Sequence, residues 1–343
     1  MRLAEEGFEW TFRFGHVVSR RNGLTKLYGN YRIFICYTFA IEPKGVENMD
    51  KYLLPEDDGL PARESGDWVK EKLFYVQRYI DIFETAMRQK SWRRRIYIDL
   101  FSGPGKCFVR GTKEYLLGSP LLALRTQYPF TDYYFGDLEQ RNMDWLIERS
   151  KGSRITQNHI HPLIGDANLK VKEVVKDIQQ SDKPYIQGVG SCLNLAFLDP
   201  EGLELEWTTV EALGKMKTMD LIIHYSQSGL TRNLDRYCDI VDDTIIDRFF
   251  GDRDWRNVYK TASRRREAIG VHRTLIDYYK AKLGKLGYIV INDQQHTVRE
   301  PLIRNSETNT PLYRLIFASK HPLGNKIWNE VTKKNYYGQG NLM

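Results

Sequence analysis

The feature that most constrains this chain is an alternation. Between residues 95 and 226, short apolar runs of strand length take turns with longer stretches of helical period. The runs over 95–101, 133–138, 161–165, 194–199 and 221–226 read as strands. Those between them read as helices over 119–127, 140–150, 168–179 and 207–216, the first with Ser119 as N-cap and Pro120 at the first helical position. Strands separated by helices cannot pair as hairpins; they form a parallel, doubly wound sheet. Right-handed crossovers then put the ligand crevice at the carboxyl ends of the strands. Upstream, Val69, Leu73, Val76, Ile80, Phe83 and Met87 fall three or four apart, a helix with Asp67 as its cap. Downstream, 229–287 reads as a mostly helical, highly charged insertion. Two strands over 288–292 and 312–319, pairing antiparallel at a sheet edge, and a helix over 326–333 close the chain.

The chain has 343 residues, enough for a sizeable core, and no apolar run near the roughly 20 residues needed to span a bilayer. Residues 1–48 show no clear period. They read as an extension ahead of a domain over 49–343, with Met49 as the natural start or, through the strand formers over 31–40, as a small β-rich arm. The N-terminus shows no secretory pattern. Cys36, Cys107, Cys192 and Cys238 form no Cys-x-x-Cys element, so reduced thiols in a cytoplasmic protein, without structural metal, are expected. The net charge of +7 is uneven: residues 251–343 carry 17 basic and 8 acidic side chains, residues 1–250 carry 34 and 36. That excess suits a polyanion such as nucleic acid, or is a solvated basic surface. Arg232, Arg236 and the run Arg264, Arg265, Arg266 are the candidate phosphate contacts, or solvated helix faces.

The sharpest local signal is Tyr97-Ile98-Asp99-Leu100-Phe101-Ser102-Gly103-Pro104-Gly105. A strand ends on an acid and enters a turn whose glycines accept positive φ and let a ligand approach the backbone. The third glycine of the dinucleotide fingerprint is missing, and 106–118 reads as a loop before the next helix. A phosphate on a helix N-terminus is therefore not demanded, and a nucleoside-type ligand fits better than NAD or ATP. Three further acids stand at strand ends. Asp137 is placed to accept ribose hydroxyls. Asp166 meets an adenine amino group or caps the next helix, and Asp199 opens Asp199-Pro200-Glu201-Gly202. For each alone, a cap or turn role is the plain alternative. His224 either lines an acceptor pocket or is a core histidine. Trp207, Trp255 and Trp328 read as core, and there is no Gly-x-Ser-x-Gly elbow for a serine nucleophile.

This constellation resembles the class I AdoMet-dependent methyltransferases. Asp99, Phe101, Gly103 and Gly105 are similar to their first motif, Asp137 to the ribose-binding acid and Asp166 to the adenine-side acid. Asp199-Pro200 resembles the fourth motif of amino-directed nucleic-acid methyltransferases. Glu201-Gly202 replaces its proline and aromatic residue, a form closer to tRNA guanine-N2 methyltransferases. The cytosine-C5 branch lacks its Pro-Cys nucleophile, since Cys192 follows Ser191.

From about Met49 onward the chain resembles the three-Cys-motif partner (TcmP) family. The resemblance rests on Asp58-Gly59-Leu60-Pro61, Trp68, Glu71-Lys72-Leu73, the glycine turn, Gly118-Ser119-Pro120, Asp199-Pro200-Glu201-Gly202, Trp207, the stretch from Phe249-Phe250-Gly251 to Trp255, and 318–324. It implies a prokaryotic protein with a Rossmann-like sheet of class I methyltransferase type. The reaction is implied instead by the methyltransferase motifs: S-adenosyl-L-methionine as cofactor, Asp199 and Pro200 as catalytic pair, and nucleic acid as acceptor through an exocyclic amino group. A neighbouring three-cysteine protein resembling radical-AdoMet enzymes is the implied partner. A non-catalytic scaffold serving that partner is the alternative.

Overall fold

The computed structural model describes residues 51–182, 191–264, 268–290 and 298–340. The elements run β1 (Arg63–Ser65), α1 (Val69–Met87), β2 (Arg95–Asp99), β3 (Lys106–Val109), β4 (Glu114–Leu117), α2 (Ser119–Leu124), β5 (Asp132–Asp137), α3 (Gln140–Ser150), β6 (Ile160–Ile164), α4 (Ala167–Ser181), β7 (Leu193–Leu198), α5 (Trp207–Gly214), β8 (Met219–Tyr225), α6 (Gln227–Cys238), α7 (Ile245–Phe250), α8 (Trp255–Arg264), α9 (Ala268–Lys285), β9 (Leu302–Arg304), β10 (Pro311–Ala318) and α10 (Pro322–Val331).

The main sheet has the order β6-β5-β2-β7-β8-β10-β9. Its first five members are parallel; β10 runs antiparallel to both β8 and β9. This is the expected Rossmann-like, doubly wound α/β fold. The chain steps outward from β2 through β5 to β6, then returns to lay β7 on the other side of β2. The carboxyl ends of β2 and β7 therefore flank the topological switch point. Alternation along the strands divides the core. Ile96, Ile98, Ala196 and Ile223 face α4, α5 and the helical stretch α6–α9; Tyr97, Leu195, Phe197 and Ile222 face α1, α2, α3 and α10. Trp207, Trp255 and Trp328 are all core. No described helix is long and apolar enough to cross a membrane.

Several local expectations are corrected. Asp67 does not cap α1: Trp68 holds the cap position, and the Asp67 carboxylate turns to Lys70 at 2.8 Å and Tyr337 Oη at 2.6 Å. Ser119 lies inside α2, after Gly118, because its hydroxyl is drawn to Asp99. The expected loop over 106–118 instead holds β3 and β4, a hairpin joined by β1 into a small separate sheet. The last hairpin is built from β9, not from 288–292. Tyr288 is buried and Ile289 N–H donates to Ser319 O, but 288–290 form no ladder, and 291–292 lie outside the described residues. The closing helix starts at Pro322 rather than 326, with His321 as N-cap. Residues 1–48, including the suggested arm, lie outside the described residues.

Candidate functional site

The turn after β2 is built around two left-handed glycines. Gly105 has φ +90°, and a Cβ there would stand 2.8 Å from Leu146 Cδ1, so neither backbone nor space admits another residue. Gly103 has φ +59° with open space before it: its nearest neighbour would be the Arg63 guanidinium at 4.0 Å. That turn leaves room for a ligand against its backbone. Ser102 N–H and Oγ–H both donate to Gly136 O, and Gly103 N–H donates to Asp137 Oδ2 at 3.1 Å, tying the turn to β5.

A buried ionic cluster braces the turn from below. Arg149 of α3 donates two hydrogen bonds of 2.8 Å to Asp58 and others to the carbonyls of Leu60, Pro61 and Pro104. Lys106 adds an ion pair to Asp58 at 2.9 Å and a bond to Glu56 O. Burial alone would raise the Asp58 carboxyl; the hydrogen bonds from Arg149 and Lys106 outweigh it and hold it well below the usual range. The Asp58-Gly59-Leu60-Pro61 segment thus straps the glycine turn.

The four strand-end acids take different places. Asp99 is fully buried beneath the turn, accepting from Ser119 Oγ at 2.6 Å and Phe101 N–H at 3.3 Å. Burial pushes its carboxyl up to about 7. Asp137 is half-buried at the end of β5 and accepts from Gly103 N–H, Glu139 N–H and Asn142 Nδ2. Asp166 is exposed and caps α4 through Asn168 N–H at 2.8 Å, the capping alternative.

Asp199 stands apart, on a cavity of about 390 Å³ that also holds Phe101, Gly103, Gly105, Pro200 and Arg232. The volume suits a small molecule. Asp199 Oδ2 is paired with Lys72 Nζ of α1, and Oδ1 lies 2.8 Å from His224 Nδ1 of β8. Tyr313 of β10 stacks on the His224 ring at 4.0 Å between centroids. Burial would raise the Asp199 carboxyl, but the Lys72 charge and the His224 hydrogen bond hold it well below the usual range. Burial lowers His224 in turn, against the pull of Asp199. His224 is therefore both buried and a cavity residue. At the rim, Arg63 pairs with Glu201, and Arg110 and Arg232 add positive charge.

The cavity thus brings together seven of the anticipated residues, His224 among them, and leaves Asp99, Asp137 and Asp166 outside its lining. Arg236 is exposed one turn after Arg232; Arg264 is exposed at the end of α8; Arg265 and Arg266 lie outside the described residues. Sequence reasoning missed Lys72, Tyr313, Arg63 and the Asp58–Lys106–Arg149 cluster. Only Lys72, inside Glu71-Lys72-Leu73, and Asp58, inside Asp58-Gly59-Leu60-Pro61, had a local signal.

No family model and no curated protein matches this chain. Among solved structures, a Legionella pneumophila protein of family DUF519 shares 13% identity at a TM-score of 0.34, covering 50% of this chain and 74% of its own. The plantazolicin methyltransferase BamL, solved with a triazolic desmethyl analogue of plantazolicin and SAH, shares 7% identity at a TM-score of 0.29, covering 74% and 86%. Both scores are low, and the fold assignment rests on the strand order of this chain itself.

Proposed function

We propose that this protein is an AdoMet-dependent methyltransferase acting on nucleic acid. One observation carries the reading: the cavity at the switch point joins a ligand-admitting glycine turn on one side to Asp199 and His224 on the other. Gly103 and Gly105 would receive the methionine part of the donor along their backbone. Asp137 would hold the ribose. A carboxylate offers about four lone-pair sites, and three donors already use Asp137, so it has room for one ribose hydroxyl rather than two. Leu138, 68% exposed beside it, offers apolar surface to a purine face. Bound there, the donor supplies an electrophilic methyl group. The protein's leverage is proximity and orientation. Arg63, Arg110 and Arg232 on the cavity, with Arg236 further along α6, favour an acceptor carrying phosphates; an exocyclic amino group is the acceptor the motif resemblance implies.

The ordered motifs support membership in the three-Cys-motif partner family, with a three-cysteine protein as partner. In this reading 49–343 form the methyltransferase-like domain, 229–287 its basic helical insertion, and the cytoplasm is the site of action. A second reading, a non-catalytic scaffold for that partner, is favoured by one feature: both Asp199 oxygens are already engaged. Incubation with methyl-labelled AdoMet and total RNA or DNA separates the two. Label on nucleic acid supports the enzyme; no label, together with co-purification of the three-cysteine protein, supports the scaffold.

A further inference from the structure

Resting on the methyltransferase reading, we propose that His224 is the general base of the reaction and that Asp199 is its positioning residue rather than the group that meets the acceptor. The side-chain geometry carries this. An ionised carboxylate only accepts hydrogen bonds, so the 2.8 Å contact between Asp199 Oδ1 and His224 Nδ1 puts the imidazole proton on Nδ1. Nε2 then carries the lone pair. It has no hydrogen-bond partner among the described residues, and His224 lines the cavity. The ring is held in plane by Tyr313 on one face, and Asp199 is itself held by Lys72 through its other oxygen. A base fixed by a carboxylate that is fixed in turn by a third group is the arrangement used to activate nucleophiles on unrelated folds.

The step balances. The acceptor's nitrogen or oxygen lone pair attacks the donor methyl carbon and the carbon–sulfur bond breaks, leaving a neutral thioether. The acceptor's N–H or O–H proton passes to His224 Nε2. Asp199 stabilises the imidazolium until the proton leaves to water. The charged and titratable groups facing His224 are Asp199 after β7, Lys72 from α1, Tyr313 from β10 and Glu204 from the loop before α5. Burial keeps the ring neutral, and so able to take a proton, at neutral pH.

Nitrogen-15 imidazole spectra of the full chain test the arrangement without any donor or acceptor. At pH 7 His224 is expected neutral with its proton on Nδ1, and Asp199→Asn is expected to move the proton to Nε2. A proton on Nε2 in the wild type overturns the proposal. With labelled AdoMet and total RNA as probe, His224→Gln is expected to slow transfer by about 10²–10⁴-fold while AdoMet affinity by calorimetry stays unchanged. Wild-type transfer rates in His224→Gln also overturn it. Absence of AdoMet binding in both proteins would instead remove the methyltransferase reading, a separate failure from that of the imidazole geometry.

Discussion

At the residue scale, the site is a set of acids whose environments pull their ionisation apart. Asp99 and Asp199 end adjacent parallel strands, yet burial pushes Asp99 up to about 7 while Lys72 and His224 hold Asp199 well below the usual range. Sequence position alone could not tell them apart, because each is one Asp at one strand end. Their difference comes from partners brought in from α1, α2 and β8. The pH consequence for Asp99 has a definite sign. Its folded pKa lies above the roughly 3.9 of an unfolded Asp, so its contribution to stability is fully present below that value and is lost as pH rises through about 7. Glu84 and Asp220 shift in the same direction. Asp58 has the opposite sign: its contribution is present above the unfolded value and is lost in acid. Asp99→Asn is therefore expected to flatten the decline in stability between about pH 4 and pH 7, measured by urea unfolding. An unchanged slope in that window would show that Asp99 ionises freely in the fold.

At the element scale, the alternating helices and parallel strands were legible because period and length both pointed the same way. What escaped was short or held by tertiary contacts. The strands β3 and β4 have four residues each and carry the buried Lys106, which reads as a surface residue until Asp58 is found beside it. Some motifs behind the family resemblance prove to be structural joints. Lys320 donates to Gly214 O, the last carbonyl of α5, and to Met216 O just beyond it. Gly251 ends α7 with φ +74°, and Trp207 packs so closely that a Cβ there would lie 2.5 Å from its ring. Left-handed backbone costs a non-glycine residue about 1–2 kcal/mol, and the Trp207 ring has little freedom to retreat. Gly251→Ala is expected to destabilise the protein by roughly 2 kcal/mol or more in urea titrations. A loss below about half a kcal/mol would mean that α7 ends without using this turn.

At the scale of the whole molecule, the doubly wound order explains why residues from 63 to 313 share one cavity. The return from β6 to β7 opens the crevice, β8 brings His224 beside Asp199, and antiparallel β10 lays Tyr313 against His224. The sequence indicated where such a crevice would lie, but not that α1 and β10 would complete it. Those contributions depend on packing between segments far apart in sequence, Lys72 lying 127 residues from the Asp199 it meets. In the proposed function the glycine turn and Asp137 form the donor pocket. Calorimetric titration with AdoMet and its demethylated product, on the protein and on Asp137→Ala, tests it most directly. Saturable binding is expected, weakened in Asp137→Ala by about 1.5–3 kcal/mol, tenfold or more, since that carboxylate is the proposed ribose contact and accepts from the Gly103 N–H. No binding to the wild type, or equal affinity in the variant, would contradict it.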